Sequence, residues 1–467
     1  MRYEREAPFR IGTYRAQMTI SLSRRGFLTR AGLATAGASA LGLAGCTSSD
    51  GVAARPSAGA PAATTAPRLD PDDWGSVRDQ FALDPRLAHF AAFVLASHPA
   101  PVRQAIDEYR ARLDHDTVAA TGDETELEDA ARGAAAEYLE VAGEEIALTD
   151  STTMGLGLIY HGLDLRPGDH ILTSTHDFYA THEALRLAAA KRGATVQRIP
   201  LYPEPAATSA AEIVSRVRAG IRPNTRLLAL TWVHSSTGVK LPVRQIADAV
   251  AEANANRNEG DRVLFCLDAV HGLGADATSP VGLGCDVFVS GTHKWLFGPR
   301  GTGIAWAHRR AWDSLAAVIP TFSGPSFGAW FEGTTAPFLF GLDGTPGGFH
   351  SFEHRWALTD AFQFHLEIGK QRVADRTRDL ATRLKDGLAK LDNVRLITPQ
   401  DPDLSAGIVC CEVSGRQPRE VVNELRSKHR IVASVTPYQT SYLRLGPSIV
   451  TSPEQVDQAI SALGSIK

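Results

Sequence analysis

A lysine and an aspartate stand where two apolar stretches of this sequence end. Lys294 follows the apolar stretch Val287–Val289 and is itself followed by a glycine-rich turn, and Asp268 closes the predicted strand Val263–Asp268. A lysine amine can bind the aldehyde of pyridoxal phosphate (PLP) covalently. A carboxylate can keep the pyridine nitrogen of that cofactor protonated, so that the ring accepts electrons. The pair therefore predicts a PLP site.

Predicted helices and strands alternate along the globular part of the chain, which begins near Trp74. The predicted elements are helix Glu124–Val141, strand Glu145–Thr149, strand His170–Ser174, helix Tyr179–Arg192, strand Thr195–Ile199, strand Arg226–Val233, helix Val243–Asn256 and strand Val263–Asp268. This alternation favours an α/β fold, a mostly parallel sheet with helices on both faces. Ligands of such sheets bind at the carboxyl ends of the strands, where Asp268 and the turn before Lys294 fall.

The pattern changes after about residue 312. Residues 319–356 contain many aromatic residues among glycines and prolines, which predicts a long loop that forms a pocket or a subunit contact. A single helix is expected from Trp356 to Leu391, followed by an α+β segment. We therefore expect a large PLP-binding domain over residues 74–330 and a small domain, with the aromatic loop, over residues 331–467. The N-terminal part of the large domain is expected to pack on the small domain.

Composition excludes some classes of protein. With 43% hydrophobic and 21% charged residues, the sequence is typical of a globular protein. The net charge of −4 gives no reason to expect a nucleic-acid partner. Four cysteines of the globular part, Cys266, Cys285, Cys410 and Cys411, lack metal-binding spacing and are predicted to be buried thiols.

The N-terminal region predicts export rather than folded structure. Residues Ser23–Leu28 match a twin-arginine signal, and an apolar stretch leads to Leu43-Ala44-Gly45-Cys46, which resembles a lipoprotein cleavage site. Residues 1–46 are thus expected to be a signal peptide, and residues 47–73 a flexible linker rich in alanine, proline, serine and threonine. The protein would lie in the periplasm or on the outer face of the cell membrane, whether Cys46 is lipidated or the signal is simply cleaved. Translation could begin at Met1 or Met18.

Two motifs resemble the class V aminotransferase family of fold type I PLP enzymes. His293-Lys294 is followed by Gly298-Pro299-Arg300-Gly301, and Asp268 is followed by His271 in an Asp-x-x-His element. The resemblance covers roughly residues 75–467, and the family includes cysteine desulfurases, isopenicillin N epimerase-like enzymes, kynureninases and transaminases. It implies that Lys294 binds the cofactor and moves protons at the substrate α-carbon, and that Asp268 pairs with the pyridine nitrogen. His271 would lie near the phenolic oxygen of the cofactor.

The same resemblance implies a phosphate site at a helix start. The segment Ser151–Leu156 follows a predicted strand and opens a helix, and a helix N-terminus offers N–H groups to an anion. Thr152 and Thr153 would hold the phosphate, with His293 opposite them. Ser290 or Thr292 are further candidates on that side.

Three more residues take roles from the resemblance. Phe178 falls on the position that stacks on the cofactor ring, with Tyr179 as a second candidate, and Ser235 supplies a small polar contact. Arg444 would clamp a substrate carboxylate with two parallel hydrogen bonds, a geometry that lysine lacks.

Two features depart from the family pattern. Residues 429–443 contain no cysteine, so the persulfide chemistry of a desulfurase is not expected from that loop. The family is expected to form homodimers in which a Gly-Thr pair of one subunit contacts the phosphate of the other. Here Phe352–Arg355 occupies the aligned region, whereas Gly333-Thr334 and Gly344-Thr345 lie in the aromatic loop.

The sequence therefore predicts a PLP enzyme that acts on the amino group or α-carbon of an amino acid, as an aminotransferase or an epimerase. A carbon–sulfur lyase is an alternative within the same chemistry. A non-catalytic, exported binding lipoprotein is an alternative of another class. The pair of Lys294 and Asp268 argues against that alternative, because binding alone needs neither residue.

Overall fold

A seven-stranded sheet forms the centre of the computed structural model, which describes residues 68–467. The predicted signal peptide, Cys46 and the linker up to residue 67 lie outside these residues. The strands are β1 (Ala88–His89), β2 (Ile146–Thr149), β3 (His170–Ser174), β4 (Thr195–Ile199), β5 (Thr225–Thr231), β6 (Leu264–Asp268), β7 (Val287–Gly291), β8 (Gly303–Ala307), β9 (Val394–Leu396), β10 (Val409–Val413), β11 (Ile431–Val432), β12 (Ser434–Val435) and β13 (Leu443–Leu445).

Helices precede, connect and follow these strands. They are α1 (Trp74–Asp79), α2 (Ala100–His115), α3 (Thr117–Gly122), α4 (Glu124–Leu139), α5 (Thr152–Gly162), α6 (Tyr179–Arg192), α7 (Ala210–Gly220), α8 (Val243–Asn254), α9 (Pro280–Leu283), α10 (Gly324–Glu332), α11 (Phe340–Asp343), α12 (Phe352–Trp356), α13 (Leu358–Ile368), α14 (Lys370–Leu388), α15 (Pro418–His429) and α16 (Pro453–Ser465). Within the described residues, no helix combines the length and the apolarity needed to cross a membrane.

The central sheet is mostly parallel, with strand order β2-β8-β7-β6-β5-β3-β4. Strands β7, β6, β5, β3 and β4 pair in parallel, whereas β8 runs antiparallel to both of its neighbours, β7 and β2. The parallel strands therefore end at one edge of the sheet. This edge carries Asp268 at the end of β6 and Thr231 opposite it at the end of β5.

Both faces of the sheet are covered by helices, as the α/β prediction requires. On β6, Phe265 and Leu267 join one buried apolar cluster, to which α4, α7 and α8 contribute. Leu264 and Cys266 join a second cluster with α5 and α6. Because successive side chains of a strand point to opposite faces, an apolar strand buried on both faces has a continuous apolar sequence. The predicted α/β fold, with helices on both faces of the sheet, is thus confirmed.

A smaller antiparallel sheet, with order β12-β13-β10-β9, lies in the C-terminal part of the chain. Helices α14, α15 and α16 pack on it around a third apolar cluster. Strand β1 pairs in parallel with β11, Ala88 opposite Ile431, so the N-terminal part of the described chain joins the C-terminal part. The exact domain limits at residues 74, 330 and 467 remain predictions.

Two predictions about the segment after residue 312 are wrong. The expected single helix from Trp356 to Leu391 is divided. Helix α12 ends at Trp356, and α13 and α14 are separated by Gly369, whose φ of +92° is not helical. The expected loop over residues 319–356 contains the short helices α10, α11 and α12. In contrast, the four cysteines of the described residues are buried and unpaired, as predicted.

Candidate active site

A cleft of about 240 Å³ opens at the carboxyl edge of the central sheet. It is lined by the nine residues that are the first choices of the sequence analysis: Thr152, Thr153, Phe178, Ser235, Asp268, His271, His293, Lys294 and Arg444. Residues that are far apart in the described sequence thus meet in one cavity at the place where sheets of this kind bind ligands.

Lys294 lies in a tight turn just beyond the end of β7. The turn is closed by hydrogen bonds from Phe297 N to Lys294 O (3.0 Å) and from Gly298 N to Thr292 O (2.9 Å). Phe297 has a left-handed backbone, φ +57°, although its side chain is only 1% exposed. Such a conformation costs a bulky residue about 1–3 kcal/mol. Burial of the Phe297 ring offsets this cost and fixes the backbone that carries Lys294.

The Lys294 amine is buried and has a lowered pKa. Its Nζ lies 3.2 Å from Nε2 of His271. Burial lowers the pKa of Lys294 to about 8; the Asp268 carboxylate opposes this shift and the Arg444 guanidinium adds to it. About half of the amine is therefore neutral near pH 8, and only the neutral amine is a nucleophile or a base.

The Asp268 carboxylate is placed to accept a hydrogen bond from a positively charged donor. It is 2% exposed, and its carboxylate accepts hydrogen bonds from Val270 N (3.1 Å) and Thr181 Oγ1 (3.4 Å). Burial raises the pKa of Asp268 to about 6, so the carboxylate is mostly ionised at pH 7. Beside it, the buried Thr231 Oγ1 lines the cleft without a hydrogen-bond partner among the described residues. An ionised carboxylate and an unpaired hydroxyl at one cavity wall fit a protonated pyridine ring.

The opposite wall suits a phosphate. Ser151 caps α5 by accepting a hydrogen bond from Met154 N (3.1 Å), which leaves Thr152 and Thr153 as the first two helical residues. The N–H groups of these positions have no carbonyl partner within the helix, and the helix dipole favours an anion there. Thr152 Oγ1 also accepts from Gly291 N (2.7 Å), which ties the helix start to the end of β7.

Of the further phosphate candidates, neither lines the cleft. Ser290 Oγ donates to Gly291 O at 2.9 Å, and Thr292 Oγ1 donates to Thr302 O at 3.2 Å. The His293 side chain lines the cleft, as expected. The donor set of the phosphate wall therefore consists of the helix start and His293.

Arg444 is held at the cleft by three contacts. Its Nη1 donates to Ser235 O (3.2 Å), its Nε donates to Ser434 Oγ (3.1 Å), and its guanidinium lies 4.7 Å from the centre of the Phe93 ring. These contacts use two of the five N–H donors of an arginine. The remaining donors are available for a carboxylate in the cleft.

The aromatic wall is formed by Phe178, which is 38% exposed and borders the cleft. Its ring packs edge-on against Tyr438 at 6.0 Å, and the Tyr438 hydroxyl shares a 2.8 Å hydrogen bond with Ser235 Oγ. Tyr179, the second candidate for stacking, is 70% exposed and does not line the cleft. Of the two candidates for stacking, Phe178 is thus the one that borders the cleft.

Four residues at or beside the site are not predicted from the sequence: Phe93, Thr181, Thr231 and Tyr438. Each reaches the site through a contact with a residue far away along the chain, such as the cross-strand pairing of Thr231 with Asp268. Only Thr231 could have been found, because it ends a buried strand next in the sheet to β6.

The threonines considered for a partner's phosphate are engaged within the subunit. Thr345 is 5% exposed; its hydroxyl donates to Gly341 O (2.7 Å) and accepts from Leu148 N (3.0 Å). Thr334 Oγ1 donates to Ala329 O at 3.4 Å. The assignment of a subunit-bridging phosphate contact therefore remains a prediction.

Comparisons with known proteins agree with this geometry. The family model for aminotransferase class V matches residues 96–435, and this family uses PLP. Isopenicillin N epimerase of Streptomyces clavuligerus is 25% identical over 407 residues, which cover 84% of this chain and 98% of the relative. A probable cysteine desulfurase of Xylella fastidiosa is 28% identical over 353 residues, 71% of this chain and 79% of the relative.

Solved structures share the fold. A mutant of C-DES with glycine covalently linked to its PLP cofactor aligns with a TM-score of 0.75 and 21% identity, over 84% of this chain and 99% of that one. A second structure of the same protein, described as the cystine C–S lyase C-DES with its product cysteine persulfide, aligns with a TM-score of 0.74, at 21% identity and over 82% and 98% of the two chains.

Proposed function

This chain belongs to the aminotransferase class V family of PLP enzymes, and we propose that it acts at the amino group or α-carbon of an amino acid, as an aminotransferase or an epimerase. One observation carries the proposal. Lys294, Asp268 and Arg444 face the same cleft, so a nucleophilic amine, an acceptor for a pyridinium and a clamp for a carboxylate are present together.

Each residue of the cleft has a separate role in the proposed reaction. When bound, PLP supplies an electron-accepting ring that stabilises negative charge at the substrate α-carbon. The Lys294 amine would hold the cofactor, and as a neutral amine Lys294 would remove the proton from the substrate α-carbon. Asp268 keeps the pyridine nitrogen protonated, and Thr152 and Thr153 orient the phosphate. Arg444 fixes the substrate carboxylate and so sets which bond of the α-carbon faces Lys294.

Epimerisation and transamination begin with the same proton removal and differ in where the proton returns. Return of a proton to the opposite face of the α-carbon would invert its configuration. A keto acid would result instead if the α-carbon were not reprotonated and the amino group were left with the cofactor. The relative named isopenicillin N epimerase aligns over 98% of its length, which supports the first outcome.

A carbon–sulfur lyase is the second candidate, favoured by the shared fold with the cystine C–S lyase C-DES. Elimination of a sulfur leaving group needs the same α-proton removal and no thiol of the enzyme. An enzyme-bound persulfide is disfavoured, because residues 429–443 contain no cysteine. Cys410, which lies opposite Arg444 in the small sheet, is fully buried, and burial raises its thiol pKa to about 12.

The first test is the visible absorption spectrum of the purified protein after incubation with PLP. The wild type should show the band of a lysine-bound cofactor, and amino-acid substrates should shift it. Lys294→Ala should lack this band. Lys240→Ala is the matched control, because Lys240 pairs with Asp276 (3.2 Å) outside the cleft and its loss should leave the band intact. No band in the wild type would refute the proposal.

A second assay separates the reactions. Candidate amino acids are incubated with the protein in deuterium oxide, and the products are analysed by chiral chromatography and mass spectrometry. Deuterated substrate of inverted configuration identifies an epimerase, and a keto acid formed together with a new amino acid identifies an aminotransferase. Pyruvate with sulfide identifies the lyase. A protein with the lysine-bound band but no deuterium exchange would contradict the role of Lys294 as the base.

We further propose that the protein works as a homodimer. Large apolar side chains are exposed beside the cleft, at Val94 (47%) and Leu95 (53%), and in the aromatic segment, at Trp330 (68%) and Phe349 (91%). A second copy of the chain would bury such a surface. Sedimentation equilibrium should show a dimer that Trp330→Asp weakens, whereas Val118→Asp, at a 72% exposed position on α3, should not. A monomeric wild type would refute this proposal.

Export is proposed from the signal motif alone, on residues outside the described part of the chain. Replacement of Arg24 and Arg25 by lysine should retain the protein in the cytoplasm. Cys46→Ala should move the exported protein from the membrane fraction to the soluble fraction if the cysteine is lipidated. Unchanged location in both variants would refute the twin-arginine lipoprotein assignment.

A further inference from the structure

The space around Trp295, the residue after the cofactor lysine, is shaped by glycines. A Cβ at Gly407 would lie 2.3 Å from the edge of the indole, and one at Gly446 would lie 3.2 Å from it. A Cβ at Gly274, where φ is +85°, would lie 2.5 Å from the Trp295 carbonyl carbon. The indole is 1% exposed and stacks on Phe93 with ring centres 5.8 Å apart. The fold therefore fixes the position of this ring closely.

The polar edge of the indole is directed at His271. Trp295 Nε1 lies 3.3 Å from His271 Nδ1. An indole N–H only donates, so Nδ1 must accept and carries no proton. On the other side of the imidazole, Nε2 lies 3.2 Å from Lys294 Nζ. Burial lowers the pKa of His271 well below its ordinary value, so the ring is neutral and its single proton sits on Nε2.

We propose that Trp295 is a positioning residue that holds His271 in its Nε2–H form, so that His271 donates a hydrogen bond to the neutral amine of Lys294 and cannot take a proton from it. Lys294 is then the base at this corner of the cleft, and His271 only orients the groups around it. The role in catalysis rests on the proposed function, but the tautomer is a property of the protein alone.

The other neutral tautomer of His271, with its proton on Nδ1, shows what the Trp295 indole N–H prevents. With the proton on Nδ1, two N–H donors would face each other in a dry pocket, and Nε2 would become an acceptor beside Lys294. His271 could then bind the proton that Lys294 removes from the substrate. Removal of the indole N–H abolishes the preference between the two forms without any change at His271 itself.

The test is the protonation state of the His271 ring nitrogens at pH 9, above the Lys294 pKa of about 8, where the Lys294 amine is neutral and can accept a hydrogen bond. It is measured by two-bond proton–nitrogen correlation in cofactor-free protein labelled with ¹⁵N-histidine. The signals of His271 are identified by their loss in His271→Gln. In the wild type, Nδ1 should show the shift of an unprotonated nitrogen and Nε2 that of a protonated one. In Trp295→Phe, both shifts should move toward the values of a tautomer mixture.

Trp306→Phe is the matched control, because Trp306 is also fully buried and its indole donates to Glu145 Oε2 (3.0 Å) at another part of the sheet. This variant should lose stability to a similar degree, yet leave the His271 shifts unchanged. A purely structural role of Trp295 would make the two variants alike.

Two results would overturn the inference: a protonated Nδ1 in the wild type, or His271 shifts that Trp295→Phe does not alter. The first decides the question even if Trp295→Phe does not fold. The measurement needs no cofactor, so its failure is distinct from failure of the proposed function. A protein that shows the expected tautomer but never binds PLP would refute only the function.

Discussion

Replacing Asp268 with asparagine should stabilise the cofactor-free protein although it removes a residue on which catalysis depends. The carboxylate is 2% exposed, and its hydrogen bonds from Val270 N and Thr181 Oγ1 do not compensate for burial of its charge. Asparagine has nearly the same shape and keeps an oxygen for Val270 N, but it carries no charge. The substitution therefore removes the cost of burying an anion.

The magnitude follows from the pKa of Asp268, which burial raises from 3.8 to about 6. A rise of about 2 units corresponds to about 3 kcal/mol of lost stability when the group is ionised. Because the folded state binds the proton more tightly than the unfolded state, this loss is absent below pH 3.8 and grows as the pH rises. It is complete above the folded-state pKa, near pH 7 to 8. The stability gained by Asp268→Asn should follow the same curve.

The assay is urea unfolding of the cofactor-free proteins at pH 4, 6 and 8. The difference in unfolding free energy between Asp268→Asn and wild type should be near zero at pH 4 and about 3 kcal/mol at pH 8. Asp286→Asn is the control, because the buried Asp286 carboxylate accepts from Phe265 N (2.8 Å) and from Arg310, and its loss should destabilise the protein. A difference that does not depend on pH, or a less stable Asp268→Asn at pH 8, would refute the reasoning.

Two further predictions concern recognition of the substrate carboxylate. Arg444→Lys should raise KM for the amino acid by about 10- to 100-fold, because a charged hydrogen bond to the substrate carboxylate is lost. The absorption band of the cofactor should not change. An altered band with an unchanged KM would contradict the assignment of Arg444 to the carboxylate. Gly446→Ala would place a Cβ 2.3 Å from the ring of Phe93, on which the Arg444 guanidinium lies. Because the ring must shift, this substitution should cost about 1–3 kcal/mol of stability and raise KM. The control is Gly133→Ala in α4, where an added Cβ has no other atom within 4 Å. This substitution should stabilise the helix by about 0.5–1 kcal/mol. Equal KM values for the two alanine variants would disprove the support role of Phe93.

The sequence predicts those parts of the site that local patterns carry. Lys294 and Asp268 each follow an apolar strand, and the carboxyl ends of parallel strands lie at one edge of a sheet, so their proximity is expected. Thr152 and Thr153 could be placed because a strand followed by a helix start has a fixed geometry. The prediction of an α/β fold is confirmed, and it rests on the alternation of helical patterns with short apolar strands along the sequence.

What the sequence did not predict depends on contacts between distant segments. The hydroxyl of Thr231 matters because of its neighbour across the sheet, and Tyr438 matters because its hydroxyl meets Ser235. The break at Gly369 was missed because glycine is tolerated inside helices and only the backbone shows φ +92°. The helices of the aromatic segment were missed because glycine and proline usually indicate loops.

The pairing of β1 with β11 has a consequence for how the protein is made. Strand β1 leaves the ribosome early and has no partner in its sheet until residues 431 and 432 have been synthesised. A nascent chain that stops before that point already contains Lys294 and Asp268, but it lacks Arg444. Domains fold as units during synthesis, N-terminal parts first. The groups that hold the cofactor are thus complete before the group that recognises the amino acid, and the last part of the chain to emerge adds the substrate's anchor to the site.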